Sequence, residues 1–179
     1  MKWERIFIHC SDSNYGSAVV IDQWHRERNW KSIGYHFVIS NGFYHPQQKT
    51  PWSFACGSVE AGRPIDDDSD YTPDEIGSHV YGFNTGSIGI CLIGKTSFFR
   101  QQLQRLKYLV TELQQRLDIP STAIYGHCEA GLLDPKYATP KTCPNLPMND
   151  LRAFLAGVMD IEEFFAKSAT YVQNLNLKP

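Results

Sequence analysis

The chain has 179 residues, of which 42% are hydrophobic, 13% aromatic and 20% charged, and its formal net charge is −2. This composition is typical of a single folded domain and excludes a mainly disordered chain, because many large apolar side chains are available for burial. The nearly balanced charge argues against a protein built to bind nucleic-acid phosphates. The sequence also lacks the run of about 18 apolar residues that a membrane span requires.

The first part of the chain alternates strand and helix patterns. Residues 5–10 alternate in side-chain direction as a strand does, and residues 19–30 carry apolar residues at helical spacing. Residues 34–40 predict a second strand, which ends at an Asn-Gly turn signal. An extended hairpin or a long loop, rich in aromatic residues and proline, follows over 43–57, and residues 58–60 predict a short strand that leaves it.

The second part continues the alternation and contains the longest helix. Its predicted elements, in chain order, are a polar loop (62–72), a short helix starting at Thr72, a buried strand (87–94), an amphipathic helix (98–117), a strand (123–126), a loop (130–147) and a last helix (150–166). Alternating strands and helices predict an α/β fold with a central sheet. The first hairpin indicates that this sheet is mixed rather than purely parallel.

Five cysteines are spread along the chain: Cys10, Cys56, Cys91, Cys128 and Cys143. Their number is odd, and none of them forms a C-x-x-C pair. This pattern predicts reduced or metal-bound thiols rather than a disulfide framework.

Three residues with metal-binding side chains lie at strand ends or in the loop that follows. His9 comes at the end of the first strand, His127 directly follows the last one, and Cys143 lies in the proline-rich loop after it. Zinc binds imidazole nitrogen and thiolate sulfur, and two His with one Cys leave a fourth position open, as in a catalytic site. Taken singly, His9 is better explained as a hydrogen-bonded core residue and Cys143 as a small buried hydrophobe.

Six short segments occur in a characteristic order: Ile8-His9-Cys10-Ser11, Gly34-Tyr35-His36-Phe37, Val59-Glu60-Ala61-Gly62-Arg63, Gly77-Ser78-His79, Asn84-Thr85-Gly86-Ser87-Ile88-Gly89-Ile90 and Lys141-Thr142-Cys143-Pro144. Together they resemble the zinc-dependent N-acetylmuramoyl-L-alanine amidases of the phage lysozyme type. They are similar, more distantly, to peptidoglycan recognition proteins. The resemblance covers residues 5–157.

This resemblance implies a central mixed β-sheet flanked by helices and a surface groove that holds one zinc ion per chain. It implies that His9, His127 and Cys143 bind the zinc, and that Tyr35 and Lys141 are catalytic. The implied reaction is hydrolysis of the amide between N-acetylmuramic acid and L-alanine in bacterial peptidoglycan. A lysine ammonium can stabilise negative charge on the carbonyl oxygen, and a tyrosine hydroxyl can orient water or relay a proton.

The resemblance also predicts a substrate contact at His79, and Arg63 and Asn84 are candidates for binding sugar or peptide carboxylates. The alternatives are a structural hydrogen bond for the histidine and turn-stabilising roles for the other two. Related cell-wall-recycling amidases have a glutamate where this chain has Cys91. Because that carboxylate base is missing here, Tyr35 becomes the stronger candidate for this role, and Glu129 is an alternative base. The segment from His127 to Lys141 is longer than in short phage enzymes, and it either lines the groove or forms a surface loop.

The expected organisation is a catalytic domain over residues 1–158, with a C-terminal helix and tail over 159–179 in the same domain. We expect a monomeric phage or prophage endolysin that binds peptidoglycan and neither nucleic acid nor membrane. The N-terminal residues show no export signal, which predicts that the chain resides in the cytoplasm of the bacterial host until its release to the cell wall. The alternatives are a non-catalytic peptidoglycan-binding module and a cytosolic cell-wall-recycling amidase.

Overall fold

The fold is organised around one five-stranded mixed sheet. The computed structural model describes residues 3–138 and 140–175. The strands are β1 (Arg5–Cys10), β2 (Phe37–Ile39), β3 (Val59–Ala61), β4 (Ser87–Leu92) and β5 (Ile124–Gly126), in the order β3-β2-β4-β1-β5. The strands β2, β4, β1 and β5 run parallel, and β3 pairs antiparallel with β2. The mixed sheet expected from the sequence is therefore confirmed.

The helices cover both faces of the sheet. They are α1 (Ala18–Glu27), α2 (Arg100–Leu117), α3 (Ala130–Leu133), α4 (Met148–Leu155) and α5 (Ile161–Asn174). The apolar stripe of α2, including Leu103 and Leu106, shares the main core with α4, α5 and the sheet. A smaller core on the other face joins α1 to the sheet through Ile21 and Val38. Each fully buried leucine or isoleucine stabilises the fold by roughly 1.5–3 kcal/mol.

The alternation of side chains along β1 determines which of its residues point to each face of the sheet. Ile6, Ile8 and Cys10 belong to the main core under α2, whereas Phe7 packs on the opposite side with Val80. His9 points to the same side as Phe7 because side chains two residues apart in a strand share a face. Since β1 and β5 are parallel, their carboxyl ends bring His9 and His127 to one edge of the sheet.

The C-terminal region differs from the single helix predicted over 150–166. The chain forms α4 and α5 instead, and they are separated at Gly157, whose φ of +76° is incompatible with helix continuation. The Asp160 side chain then caps α5 by accepting a hydrogen bond from the N–H of Glu163 at 2.9 Å. The helix continues to Asn174, and residues 176–179 lie outside the described residues.

Two other predicted segments also differ from the structure. The helix expected to start at Thr72 is a single turn, in which the Glu75 carboxylate accepts hydrogen bonds from the Thr72 backbone and hydroxyl. The loop predicted over 130–147 contains α3 and a short 3-10 turn over Pro135–Tyr137. Within the part of the chain that the structure describes, no helix is long and apolar enough to cross a membrane.

Candidate metal centre and catalytic site

His9, His127 and Cys143 converge at the carboxyl edge of the sheet. One donor atom from each lies within 4.8 Å of the other two, and His9 Nδ1 is 3.9 Å from Cys143 Sγ. Zinc–ligand bonds of about 2.0–2.3 Å at tetrahedral angles separate donor atoms by roughly 3.5 Å. His9 Nδ1 and Cys143 Sγ are already within about half an ångström of this separation, and donor pairs as far apart as 4.8 Å would have to close by about 1 Å around a zinc ion. The three donors leave the fourth position open.

Cys143 is held in this place by the backbone on either side of the site. Its Sγ accepts a hydrogen bond from the N–H of Cys10 at 3.3 Å, and its carbonyl accepts one from the N–H of Cys128 at 2.9 Å. An N–H donor stabilises sulfur in its negatively charged form. The contacts thus join the end of β1 and the turn after β5 to the same cysteine.

The turn that carries His127 is fixed by an ion pair. The Glu129 carboxylate forms a two-point pair with the Arg152 guanidinium of α4, at 2.8 and 3.0 Å, and accepts the N–H of Gly126 at 3.0 Å. Arg152 also donates to the carbonyl of Ile124 at 3.1 Å. Glu129 therefore has a structural position in this turn, and this placement does not support the alternative that it acts as a base.

Burial keeps both imidazoles of the centre neutral. It lowers the pKa of His9 well below 6.5, and burial together with the nearby charge of Lys141 lowers the pKa of His127 to about 4. A hydrogen bond with the Cys10 side chain and burial raise the pKa of the Cys143 thiol well above its ordinary value, and the backbone N–H of Cys10 lowers it only in part. The two histidines thus offer lone pairs near neutral pH, and metal binding has to displace the thiol proton.

The two predicted catalytic residues lie on different sides of the centre. The half-buried Tyr35 ring is 5.1 Å from the His9 ring, centroid to centroid. Burial raises the pKa of the Tyr35 hydroxyl well above its usual value, so it remains protonated at neutral pH. Lys141 is exposed and lines a cavity that also borders His127.

This cavity has a volume of about 580 Å³ and opens beside the candidate metal centre. Its lining residues come mainly from the segment after His127 and from the loop before β4: Val80, Tyr81, His127, Ala130, Lys136, Tyr137, Ala138 and Lys141. The segment that is longer than in short phage enzymes therefore forms a wall of the groove, as one of the two sequence-based alternatives stated.

The three predicted substrate contacts are each held within the protein scaffold. Arg63 is 7% exposed, and its guanidinium donates to the carbonyl of Ile33 at 2.7 Å and to two further carbonyls at 3.2 Å. The Asn84 side chain accepts the N–H groups of His79 and Val80 at 2.8 and 2.9 Å. The His79 ring is buried and contacts His9. Each residue thus makes structural contacts of the kind that the sequence left open as its alternative, and the substrate contacts stay a prediction.

Comparisons with known proteins point to one family. The family model described as N-acetylmuramoyl-L-alanine amidase matches residues 1–146. The endolysin of Klebsiella phage KP32 is 30% identical over 155 residues, which are 80% of this chain and 82% of the relative. The endolysin of Escherichia phage T7 is 30% identical over 158 residues, with 81% and 82% coverage.

Two solved structures show how far the fold is shared. N-acetylmuramoyl-L-alanine amidase LysC from Clostridium intestinale URNW has a TM-score of 0.63 and 25% identity, with 87% of each chain covered. Wild-type PGRP-LB of Drosophila has a TM-score of 0.56 and 22% identity, covering 80% of this chain and 76% of that protein. The second likeness concerns the fold alone.

Proposed function

The chain belongs to the N-acetylmuramoyl-L-alanine amidase family, and from this premise we propose that its activity depends on one zinc ion held by His9, His127 and Cys143. The activity itself, hydrolysis of peptidoglycan by an enzyme of the phage endolysin type, follows from the family and the endolysin relatives. The observation that carries the zinc proposal is the convergence of two imidazoles and one thiol within 4.8 Å.

The donor set matches the chemistry that amide hydrolysis requires. When bound, zinc would supply a Lewis acid that polarises the scissile carbonyl and makes water a stronger nucleophile. Two neutral imidazoles and one thiolate provide the ligands of a catalytic zinc site. The cavity beside His127 gives the substrate access to this point.

We propose that Tyr35 acts on the proton of the attacking water. Its hydroxyl is protonated near neutral pH because burial raises its pKa. A neutral hydroxyl both accepts and donates hydrogen bonds, so Tyr35 Oη can orient the water and pass a proton towards the leaving amine. The chain offers Cys91 in place of the glutamate of recycling amidases, and this thiol is fully buried beside Tyr35.

We propose that Lys141 stabilises the negative charge that develops on the carbonyl oxygen. Its ammonium lies at the cavity next to His127, where its charge contributes to the lowered pKa of that histidine. A fixed positive charge at the developing oxyanion lowers the barrier of acyl transfer. Lys141 and Cys143 are two residues apart, so the same short stretch supplies a ligand and this cation.

The biological setting is also a proposal. The similarity to phage endolysins supports a chain that accumulates in the cytoplasm of the bacterial host and reaches the cell wall after release. We propose that it acts there as a monomer on peptidoglycan, without a nucleic-acid or membrane partner.

Mass spectrometry of digested Gram-negative peptidoglycan tests the proposal. We expect zinc-loaded protein to release stem peptides with an L-alanine amino terminus and to leave peptide-free glycan, whereas protein treated with a chelator releases neither. Uncut peptidoglycan despite full zinc occupancy would support a binding module instead. Cleavage of muropeptide fragments without cleavage of intact sacculi would support a recycling amidase.

A further inference from the structure

His9 makes polar contacts through both of its ring nitrogens. Its Nδ1 faces Cys143 Sγ in the candidate metal centre, at 3.9 Å. Its Nε2 points the other way and lies 3.1 Å from Nδ1 of His79. Both rings are buried, with 1% of His9 and 7% of His79 exposed. A second imidazole thus lies directly behind the proposed ligand.

The direction of each hydrogen bond follows from the role of His9. A neutral imidazole that offers the Nδ1 lone pair to a metal carries its proton on Nε2. This N–H then donates to His79 Nδ1, so the His79 proton has to lie on Nε2. That nitrogen is 3.4 Å from Ser87 Oγ, and the Ser87 hydroxyl in turn donates to the carbonyl of Phe83.

The His79 ring has one tightly defined position. A Cβ added to Gly77 or Gly89 would lie 2.5 or 2.7 Å from Cδ2 of this ring, which is closer than real side-chain contacts. The backbone N–H of His79 is bound by the Asn84 side chain at 2.8 Å. The ring therefore occupies a slot that exists because two neighbouring residues are glycines.

We propose that His79 is a positioning residue, which together with Ser87 holds His9 in the tautomer and orientation that present Nδ1 to the metal. This inference rests on the proposed zinc site. In this role His79 contacts the proposed metal ligand His9 rather than the substrate. Carboxylate or carbonyl partners commonly orient metal-bound histidines, and their loss weakens metal binding by about 10–100-fold. Here the imidazole of His79 takes this role, and the hydroxyl of Ser87 in turn contacts His79.

Three variants of the full chain distinguish the loss of the hydrogen-bond acceptor from the loss of the volume of the ring. His79→Leu removes the acceptor, His79→Asn keeps an oxygen at the position of Nδ1, and Ser87→Ala keeps the ring but removes the hydroxyl beside its Nε2. Competition with a chelator measures the zinc Kd. We expect a loss of roughly 10–100-fold for His79→Leu, a smaller loss for Ser87→Ala and near wild-type affinity for His79→Asn. His36→Asn, which alters another buried imidazole that forms no hydrogen bond with His9, is the control.

Nitrogen NMR of the histidine rings in metal-free protein gives a second readout. We expect the Nε2–H tautomer of His9 in the wild type and a mixture of tautomers in His79→Leu. A wild-type tautomer and a wild-type zinc Kd in His79→Leu would overturn the proposal, as would an equal loss in His79→Asn. If the wild type bound no zinc, the proposed function would fail, yet the NMR measurement would still test the hydrogen bond to His79. If His79→Leu does not fold, the zinc Kd and the tautomer of His9 are measured in Ser87→Ala instead.

Discussion

Cys143 Sγ and His9 Nδ1 lie 3.9 Å apart although 134 positions separate them in the sequence. The fold achieves this contact by ending β1 at the site and by tying the loop after β5 to the same edge through the Cys10 and Cys128 N–H groups. The candidate metal centre is therefore a product of sheet topology, and each of its three proposed ligands can be replaced without breaking a continuous sequence motif.

Replacing Cys143 with Ala should abolish both zinc retention and peptidoglycan hydrolysis, because the two remaining histidines make an incomplete site. Metal analysis of purified protein and a turbidity assay on sacculi measure the two effects. Cys56→Ala changes a half-buried thiol in the segment between β2 and β3, and we expect it to keep both properties. Full activity of Cys143→Ala would refute the ligand assignment.

Tyr35→Phe should keep zinc and lose about 10²-fold or more in kcat, because it removes one hydroxyl from a ring that otherwise packs as before. The exposed Tyr108 of α2 supplies the control, since Tyr108→Phe makes the same chemical change far from the site. Zinc content and the rate of release of L-alanine amino termini are the measurements. A wild-type rate in Tyr35→Phe would remove this residue from the mechanism.

Lys141→Ala should likewise keep zinc and lose about 10²-fold or more in rate, because a positive charge at the oxyanion is missing. Lys136 lines the same cavity but pairs with Asp134 at 3.1 Å, so Lys136→Ala tests whether any cation in the cavity suffices. We expect a much smaller effect on kcat from this control. Equal losses in both variants would indicate a general electrostatic effect rather than a specific role of Lys141.

Burial of His36 predicts that the protein loses stability in mild acid. Its ring is fully buried and its two nitrogens bind the N–H of Gly89 and the carbonyl of Glu75, at 2.9 and 2.8 Å. Burial lowers its pKa from 6.5 to about 4. Between these values His36 is protonated in the unfolded chain and neutral in the folded chain, so its contribution to the free energy of unfolding falls as the pH falls, by about 1.4 kcal/mol per pH unit.

Urea unfolding of metal-free protein at pH 7, 6 and 5 measures this dependence. His36→Asn keeps an acceptor for the Gly89 N–H but does not titrate in this range. We expect the variant to be less stable at pH 7 and to have a flatter pH dependence than the wild type. Parallel curves for the two proteins would show that His36 does not contribute.

The sequence predicted the sheet well because local patterns determine it. The alternation in residues 5–10 correctly assigned Ile6, Ile8 and Cys10 to one face and Phe7 and His9 to the other. The apolar run over 87–94 predicts a buried strand, and the structure forms β4 there with both faces covered. The apolar pattern continues across Gly157, so the sequence does not predict the break between α4 and α5.

The surroundings of the site were harder to predict, since they depend on contacts that no local pattern encodes. Arg63 and Asn84 are polar residues near a predicted groove, and only the fold shows that their side chains bind backbone groups of neighbouring loops. The role of His79 behind His9 depends on a contact between residues 70 positions apart. The spacing of glycines around His79 was the one available signal, since small residues often mark close approach.

Glu129→Gln should lower stability much more than it lowers catalysis. The substitution keeps the shape of the side chain but removes the charge that pairs with the partly buried Arg152, which should reduce the free energy of unfolding by about 1–3 kcal/mol. Arg152→Met should cause a similar loss, and the double variant should lose less than the sum because the two side chains act as a pair. Below the melting temperature we expect kcat of Glu129→Gln to remain within a few-fold of wild type. A loss of about 10²-fold or more in kcat with unchanged stability would instead identify Glu129 as the catalytic base and displace Tyr35 from that role.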